Sequence, residues 1–363
     1  MAESVKRVGL YCRALDRWGK GTSEYVFETV RAILEEPDPR LELHILLPEG
    51  AACPLDGRGA RIITLPATHR VVQDHWHAPR LIEKHRLETV WFPKNVLPFG
   101  ARCRSVVSFL DLAYFMPHYN AYGVLDTVYM TRMMRRSASR ADHLVAISER
   151  TRQDTIELLG VSGDRISTVY PVVSSRYRPV SDPGMLEDVQ RRYNLPGRFF
   201  LYAGNVSRRK NIGRLFEAFS KIADALPHYL VVTGTDGLLP SGVAGRRVMQ
   251  LGKVAADDLR ALYALTDAYC HVSLYEGFGF TVVEAQACGA PVLNSNTSCM
   301  PEIGGDACLY VDPYDVDAIA EGMFRLANDP EIAENLRQKG FANARRFQSN
   351  APAHQLQDLL WRF

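Results

Sequence analysis

The chain has 363 residues, of which 47% are hydrophobic and 23% charged, with a formal net charge of +2. That length exceeds what a single core usually organises, so two domains are expected, and a charge so close to balance gives no electrostatic case for nucleic acid as a partner. No run of about eighteen apolar residues occurs, which excludes an apolar helix long enough to cross a bilayer, and Met-Ala-Glu-Ser-Val-Lys-Arg at the start lacks the apolar stretch of a signal peptide.

Val8 to Cys12 reads as a first strand. A loop with Gly19 and Gly21 follows, and Thr22 or Ser23 can cap a helix that carries Val26, Phe27, Val30, Ile33 and Leu34 at helical spacing. Short apolar runs at 43–47, 62–65, 89–92 and 105–109 read as further strands. A helix is expected over 126–139, a strand over 144–147, a helix over 149–159 capped by Ser148, and a strand over 166–170. Pro171, Ser174, Ser175, Pro179, Ser181, Asp182, Pro183 and Gly184 then read as an interdomain linker. The second half restarts with a strand at 199–203 and a helix carrying Ile212, Leu215, Phe216, Phe219 and Ile222. Strands recur at 229–233, 248–251, 268–272, 291–294 and 308–311, with helices between them. Alternating strands and helices predict an α/β fold, with two Rossmann-like doubly wound domains over 1–178 and 179–345. Ligands of such folds bind beyond the carboxyl ends of the strands, in the expected cleft between the two domains.

Seven cysteines, Cys12, Cys53, Cys103, Cys270, Cys288, Cys299 and Cys308, are odd in number and form no Cys-x-x-Cys pair. They read as reduced thiols of a cytosolic protein, neither disulfides nor zinc ligands.

Chemistry concentrates in a few places. Ala203-Gly204-Asn205-Val206-Ser207-Arg208-Arg209-Lys210-Asn211 joins a strand to a helix. Cations beside a helix N-terminus suit a diphosphate, whose charge grows when it departs as a leaving group. Taken alone, the same residues also fit a solvated basic turn. Gly19-Lys20-Gly21-Thr22 can bring backbone N–H groups to phosphate, and an ordinary flexible turn fits it equally well. Asp111 ends a strand, where it can orient a hydroxyl or simply cap a turn. Glu276 and Glu284 have seven residues between them, the first near Gly277-Phe278-Gly279 and the second opening an apolar helical run that stops at Gly289 and Pro291. Carboxylates in apolar surroundings are poor candidates for a solvated face. Tyr129 to Arg136 alternates basic and apolar residues; such a helix can lie on anionic lipid, or bury its methionines and leave its arginines in water. Asp315 and Asp317 follow Pro313 at the start of a helix and read as capping acids, not as a metal-binding pair.

Residues 275–302 resemble the paired-glutamate motif of glycosyltransferase family 4, enzymes of the GT-B fold that use nucleotide sugars. The match takes in the Gly-Phe-Gly loop, Glu284-Ala285-x-Ala287-x-Gly289, Pro291-Val292 and Pro301-Glu302. The resemblance implies that Arg209 and Lys210 hold the donor diphosphate. It places Glu276 by the donor sugar hydroxyls and Glu284 on the ribose. Phe278, Gly279 and Phe280 would supply main-chain contacts, Gly252, Lys253 and Val254 would line the base, and Gly19, Gly21 and Gly204 would approach the donor. Many members carry His-Asp-Leu where this chain has Leu110-Asp111-Leu112, so the polar group contributed by that histidine is missing here; His118 could substitute for it, although a lone histidine after a proline is more often a surface residue. It also implies that a final helix, within 346–363, returns to the first domain. Phe92-Pro93-Lys94-Asn95-Val96-Leu97-Pro98 resembles bacterial mannosyl- and rhamnosyltransferases of surface polysaccharide assembly.

The expected activity is therefore transfer of a hexose, with retention, from a GDP-linked sugar to a glycan or lipid-linked hydroxyl, by a cytoplasmic enzyme that needs no cofactor or metal. Peripheral contact with a membrane fits such acceptors. A UDP-sugar transferase acting on a small molecule is the alternative reading. A nucleotide-sugar epimerase shares the fold, and a two-lobed receptor shares the architecture, but neither accounts for residues 276–284.

Overall fold

The computed structural model describes residues 5–16, 21–51, 59–119, 122–234 and 247–363. Gly19, Lys20 and Cys53 lie outside that description. The chain divides into two compact units. The first holds residues 1–116, 122–172 and 349–363, and the second holds 117–121 and 173–348.

The first unit is built on seven parallel strands: β1 (Lys6–Tyr11), β2 (Leu41–Pro48), β3 (Arg61–Leu65), β4 (Thr89–Phe92), β5 (Arg104–Phe109), β6 (His143–Ala146) and β7 (Ile166–Thr168). Their order across the sheet is β3-β2-β1-β4-β5-β6-β7. The central strands are largely apolar, as expected where helices cover both faces; every residue of β4 is buried, Trp91 and Phe92 among them. Ser148 caps helix Glu149–Leu159 by accepting from the Thr151 amide at 3.1 Å, and Gly160 ends it in the left-handed region. Helix Ala351–Arg362 packs on helix Gly21–Glu35 within this unit. The Lys6 ammonium donates to the carbonyls of Leu360 and Trp361 at 3.2 and 3.0 Å, where a cation satisfies orphan C=O groups at a helix end.

Two expectations for this unit need correction. Thr22 and Ser23 do not cap the first helix, because it already runs from Gly21 to Glu35 and they lie inside it. Residues 70–84 form helical turns with no expected counterpart, including a π segment, Gln73–His77. That segment carries Asp74, which accepts from Tyr11 Oη at 2.5 Å and pairs with Arg13 at 2.6 Å beside the end of β1.

The second unit has six parallel strands: β8 (Phe199–Ala203), β9 (Tyr229–Thr233), β10 (Val248–Gly252), β11 (Ala268–His271), β12 (Val292–Ser295) and β13 (Leu309–Val311), in the order β10-β9-β8-β11-β12-β13. Its core joins Phe200, Leu215, Phe219, Val232, Leu293, Ile319 and Met323. Phe219 lies edge-on to Phe200 with centroids 6.3 Å apart. The expected linker is partly a helix start: Pro183 opens helix Pro183–Tyr193, and Asp182 caps it by accepting from the Gly184 amide at 2.9 Å. Before it, Val173 and Tyr177 are buried, and the Val173 amide donates to the Phe347 carbonyl at 2.8 Å.

Strands β8 and β9 lead into glycines. Gly234 has φ +89°, and a Cβ there would stand 2.9 Å from the Gly204 backbone nitrogen. Only glycine lets those two backbones approach, which leaves main chain, free of side chains, at the carboxyl edge of the sheet.

Phe219→Ala removes a fully buried ring from this core and should cost about 3–5 kcal/mol. Urea denaturation monitored by circular dichroism should show that loss as a lower midpoint.

Candidate active site

The site grows from two loops at the carboxyl edge of the six-stranded sheet. The first leaves β8. Asn211, in the left-handed region at φ +58°, ends the loop and starts helix Ile212–Ile222. Its side-chain amide donates to the carbonyls of Val272 at 3.0 Å and Pro313 at 2.7 Å. The second loop leaves β11, and its Leu274 amide donates to the Arg209 carbonyl at 2.8 Å. Main chain therefore fixes the two loops side by side before any charge is counted.

Arg209 Nη1 donates to Glu276 Oε2 at 2.6 Å and to the Tyr275 carbonyl at 2.6 Å. Lys210 Nζ donates to the other oxygen, Oε1, at 2.5 Å. His271, the last residue of β11, holds Nε2 at 3.6 Å from that same oxygen. The Glu276 backbone is fixed too: its amide donates to Ser298 Oγ at 3.1 Å, and Ser298 Oγ donates to its carbonyl at 2.8 Å. The Glu276 side chain is 8% exposed, against 17% for Arg209 and 20% for Lys210. Burial pushes the Glu276 carboxyl upward, but the charges of Arg209 and Lys210, with a contribution from His271, hold it well below the usual carboxylate range.

Glu284 does not open its helix. Helix Phe280–Ala287 begins four residues earlier, behind Gly279, and Glu284 lies buried in its second turn with Tyr263 Oη 3.5 Å from Oε2. Gly279 has φ +98°, a conformation that favours glycine, and a Cβ there would also have to displace the Met300 methyl, 2.6 Å away. Phe278 is buried against Phe280 and Phe347. Gly204 follows β8, and Lys253 and Val254 follow β10, at the same carboxyl edge. Lys253 is exposed and Val254 half-buried.

The remaining expected residues belong to the first unit or to a short turn. Gly21 opens helix Gly21–Glu35, and Asp111 stands just beyond β5. Asp111 Oδ1 accepts from the Ala113 amide at 3.0 Å and so caps the turn Ala113–Phe115. The Leu110 amide is held by Asn95 Oδ1 at 2.8 Å. His118 is exposed in the turn Pro117–Tyr119. Asp315 caps helix Val316–Asn328 by accepting from the amides of Asp317 at 2.8 Å and Ala318 at 3.0 Å, and Asp317 pairs with Lys221.

Residues 20–176 match the family described as Glycosyltransferase Family 4, and residues 187–343 match Glycosyl transferases group 1. Over 285 residues the chain is 32% identical to the O-antigen chain mannosyltransferase B of Escherichia coli, covering 75% of this chain and 70% of that protein. The chain belongs to this glycosyltransferase family. The enzyme is also 25% identical over 283 residues to the serotype-specific mannosyltransferase WbdA of Escherichia coli, but spans only 34% of that protein's length. Its fold is GT-B: the structure of WaaG, a glycosyltransferase involved in lipopolysaccharide biosynthesis, matches with a TM-score of 0.77 over 97% of this chain and 99% of the other, at 15% identity. A glycosyltransferase from Rickettsia africae matches with a TM-score of 0.74, covering 98% of each chain, at 16% identity.

As a glycosyltransferase, the enzyme binds a sugar donor and an acceptor. Among its described residues, no helix is long and apolar enough to cross a membrane. Two residues of the cluster were not foreseen, His271 and Ser298. A polar residue ending the apolar run Ala268-Tyr269-Cys270 was the available signal for His271. Ser298 lies twenty-two residues from the backbone that it holds, and no local pattern announces it.

Because its carboxyl is held low, Glu276 contributes stability that is fully present above its ordinary value of 4.5 and is lost as pH falls through the lower folded-state value. The stability difference between wild type and Glu276→Gln should therefore be constant from pH 7 to 5 and shrink below pH 4.5. Urea titrations at stepped pH measure it; a difference already shrinking between pH 7 and 5 would contradict the assignment.

Proposed function

We propose that the enzyme transfers a mannose- or rhamnose-type hexose from a GDP-linked sugar to a hydroxyl of a glycan or lipid-linked acceptor, with retention of anomeric configuration. The observation that carries this reading is the meeting of Arg209, Lys210 and Glu276 at the carboxyl edge of a parallel sheet. Arg209 and Lys210 bind the diphosphate and stabilise the charge that it gains on leaving. Glu276 faces the sugar hydroxyls, Glu284 the ribose, and the main chain at 278–280 and 204 the sugar and phosphates. Lys253 and Val254 lie at the base. In this reading the 179–345 domain takes the donor and the 1–178 domain, with helix Ala351–Arg362, takes the acceptor; the glycine loop at 19–21 approaches the donor phosphates beside the acceptor, and Asp111 orients the acceptor or the donor sugar. The mannose assignment draws on relatives: besides the two Escherichia coli proteins, a GDP-mannose-dependent phosphatidylinositol monomannoside mannosyltransferase of Mycolicibacterium smegmatis is 28% identical over 277 residues, covering 70% of this chain and 71% of that protein. Two cations in place supply the charge that a metal supplies elsewhere, so no divalent ion is needed.

A lipid-linked acceptor would bring the enzyme to a cytoplasmic membrane surface, and one face of the first unit suits that. Leu125 is 87% exposed and Trp76 57%, and Val71, Val72, Phe99, Val124 and Val128 are exposed as well. These residues lie on neighbouring segments: Arg70 pairs with Asp126 at 2.9 Å, and His75 bonds Tyr129 at 3.0 Å and packs on Phe99 with centroids 4.7 Å apart. Arg136 sits 4.3 Å over the Phe99 ring and Arg80 3.3 Å over Trp76. Leu125, Val128, Arg132 and Arg135 follow helical spacing, while Met130, Met133 and Met134 are buried on the other side. Apolar residues ringed by arginines suit an anionic bilayer surface.

Arg209→Ala and Lys210→Ala should each lower kcat by about 10²–10³, or about 3–4 kcal/mol of transition-state stabilisation, with donor saturating. Wild-type turnover should persist in excess EDTA; loss of activity that magnesium or manganese restores would refute the metal-free reading. In vesicle sedimentation, the enzyme should pellet with phosphatidylglycerol vesicles and not with phosphatidylcholine. The double variant Trp76→Ser, Leu125→Ser should stay in the supernatant with both, and equal pelleting of variant and wild type would remove this face from the account.

A further inference from the structure

We propose that Glu276 discriminates between the sugar-bearing donor and the bare nucleoside diphosphate product, by competing with the product for Arg209 and Lys210. The inference rests on the reading that those two cations hold the diphosphate. The carboxylate spans both, one oxygen to each, at 2.6 and 2.5 Å. It therefore occupies the cations that a diphosphate needs, and it is an anion itself. Retreat of the loop is opposed, because Ser298 holds both the amide and the carbonyl of Glu276, and Cys299 Sγ lies 3.2 Å from the same carbonyl. What remains free to change is the side chain's own choice of partner.

The chemistry of the two ligands then decides that choice. An ionised carboxylate only accepts hydrogen bonds. A donor sugar offers hydroxyl groups, so the carboxylate can give up the cations to the diphosphate and accept from the sugar instead. A bare diphosphate offers only acceptors. With it bound, the cationic or imidazole groups that reach the Glu276 carboxylate among the described residues are Arg209, Lys210 and His271, and two anions contend for one pair of cations. Intact donor is tolerated and spent product is repelled. Transfer of the sugar itself thus weakens the hold on the leaving group and favours its release.

Isothermal titration with GDP and with inorganic pyrophosphate tests this on wild type, Glu276→Gln, Glu276→Ala and Lys210→Ala. Removing the negative charge should tighten both probes by roughly tenfold or more, since a like charge about 4 Å away costs close to that factor even in bulk water and far more near a protein surface. The inhibition constant of GDP as product should fall in parallel wherever residual turnover allows its measurement. The gain should appear in both Glu276 variants, whereas damage to the loop would lower affinity. Unchanged or weaker binding by both, alongside weakened binding by Lys210→Ala, would overturn the discrimination while leaving the diphosphate on its cations. Unchanged binding by Lys210→Ala would overturn the diphosphate assignment, and this inference with it.

Discussion

A carboxylate buried between two cations is costly to assemble, because each charge must leave water, and it is kept only where geometry and further hydrogen bonds compensate. In this chain Glu276 is such a group, and the surrounding structure is arranged to hold it. Asn211 ties the β8 loop to β11 and to Pro313, the Leu274 amide ties the β11 loop back to Arg209, and Ser298 reaches from the loop after β12 to hold the Glu276 main chain. Three strand-exit loops of one sheet therefore converge on one residue. Parallel strands make that convergence natural, since all their carboxyl ends share one edge.

The same edge carries the positive field of the site. Gly204 and Gly234 bring main chain close together where side chains would block approach, and Gly279 releases helix Phe280–Ala287 at an angle that L side chains rarely adopt. Backbone N–H groups at such a helix start, and cations already in place, can act on developing negative charge without reorganising as the reaction proceeds. Glu276 supplies the anion that both cations pair with.

Much of this could be read from the residues, for reasons that differ between elements. Buried parallel strands such as β4 and β8 are short, mostly apolar runs, and turns bound them sharply. Ser148 and Gly160 mark both ends of their helix with the residues that helix ends favour. Arg209, Lys210 and Glu276 stood out because charge in apolar or glycine-rich surroundings needs a reason. The errors have physical causes as well. Pro183 and Gly184 serve a helix start as readily as a linker, and only the cap at Asp182 separates the two. Thr22 and Ser23 are sound capping residues, yet the helix begins before them. The π turns at 73–77 depend on Asp74 reaching Tyr11 and Arg13, contacts that no local period encodes. Ser298 and His271 act on Glu276 through the tertiary fold, and sequence spacing is silent about such contacts.

The central claim is that Arg209 and Lys210 exchange the Glu276 carboxylate for a diphosphate. A crystal structure of the enzyme with GDP bound tests it most directly. The account predicts phosphate oxygens within hydrogen-bonding distance, about 3 Å, of both Arg209 and Lys210 Nζ, with the Glu276 carboxylate turned away from at least one of them. A diphosphate bound elsewhere, with Glu276 still bridging both cations, would contradict it.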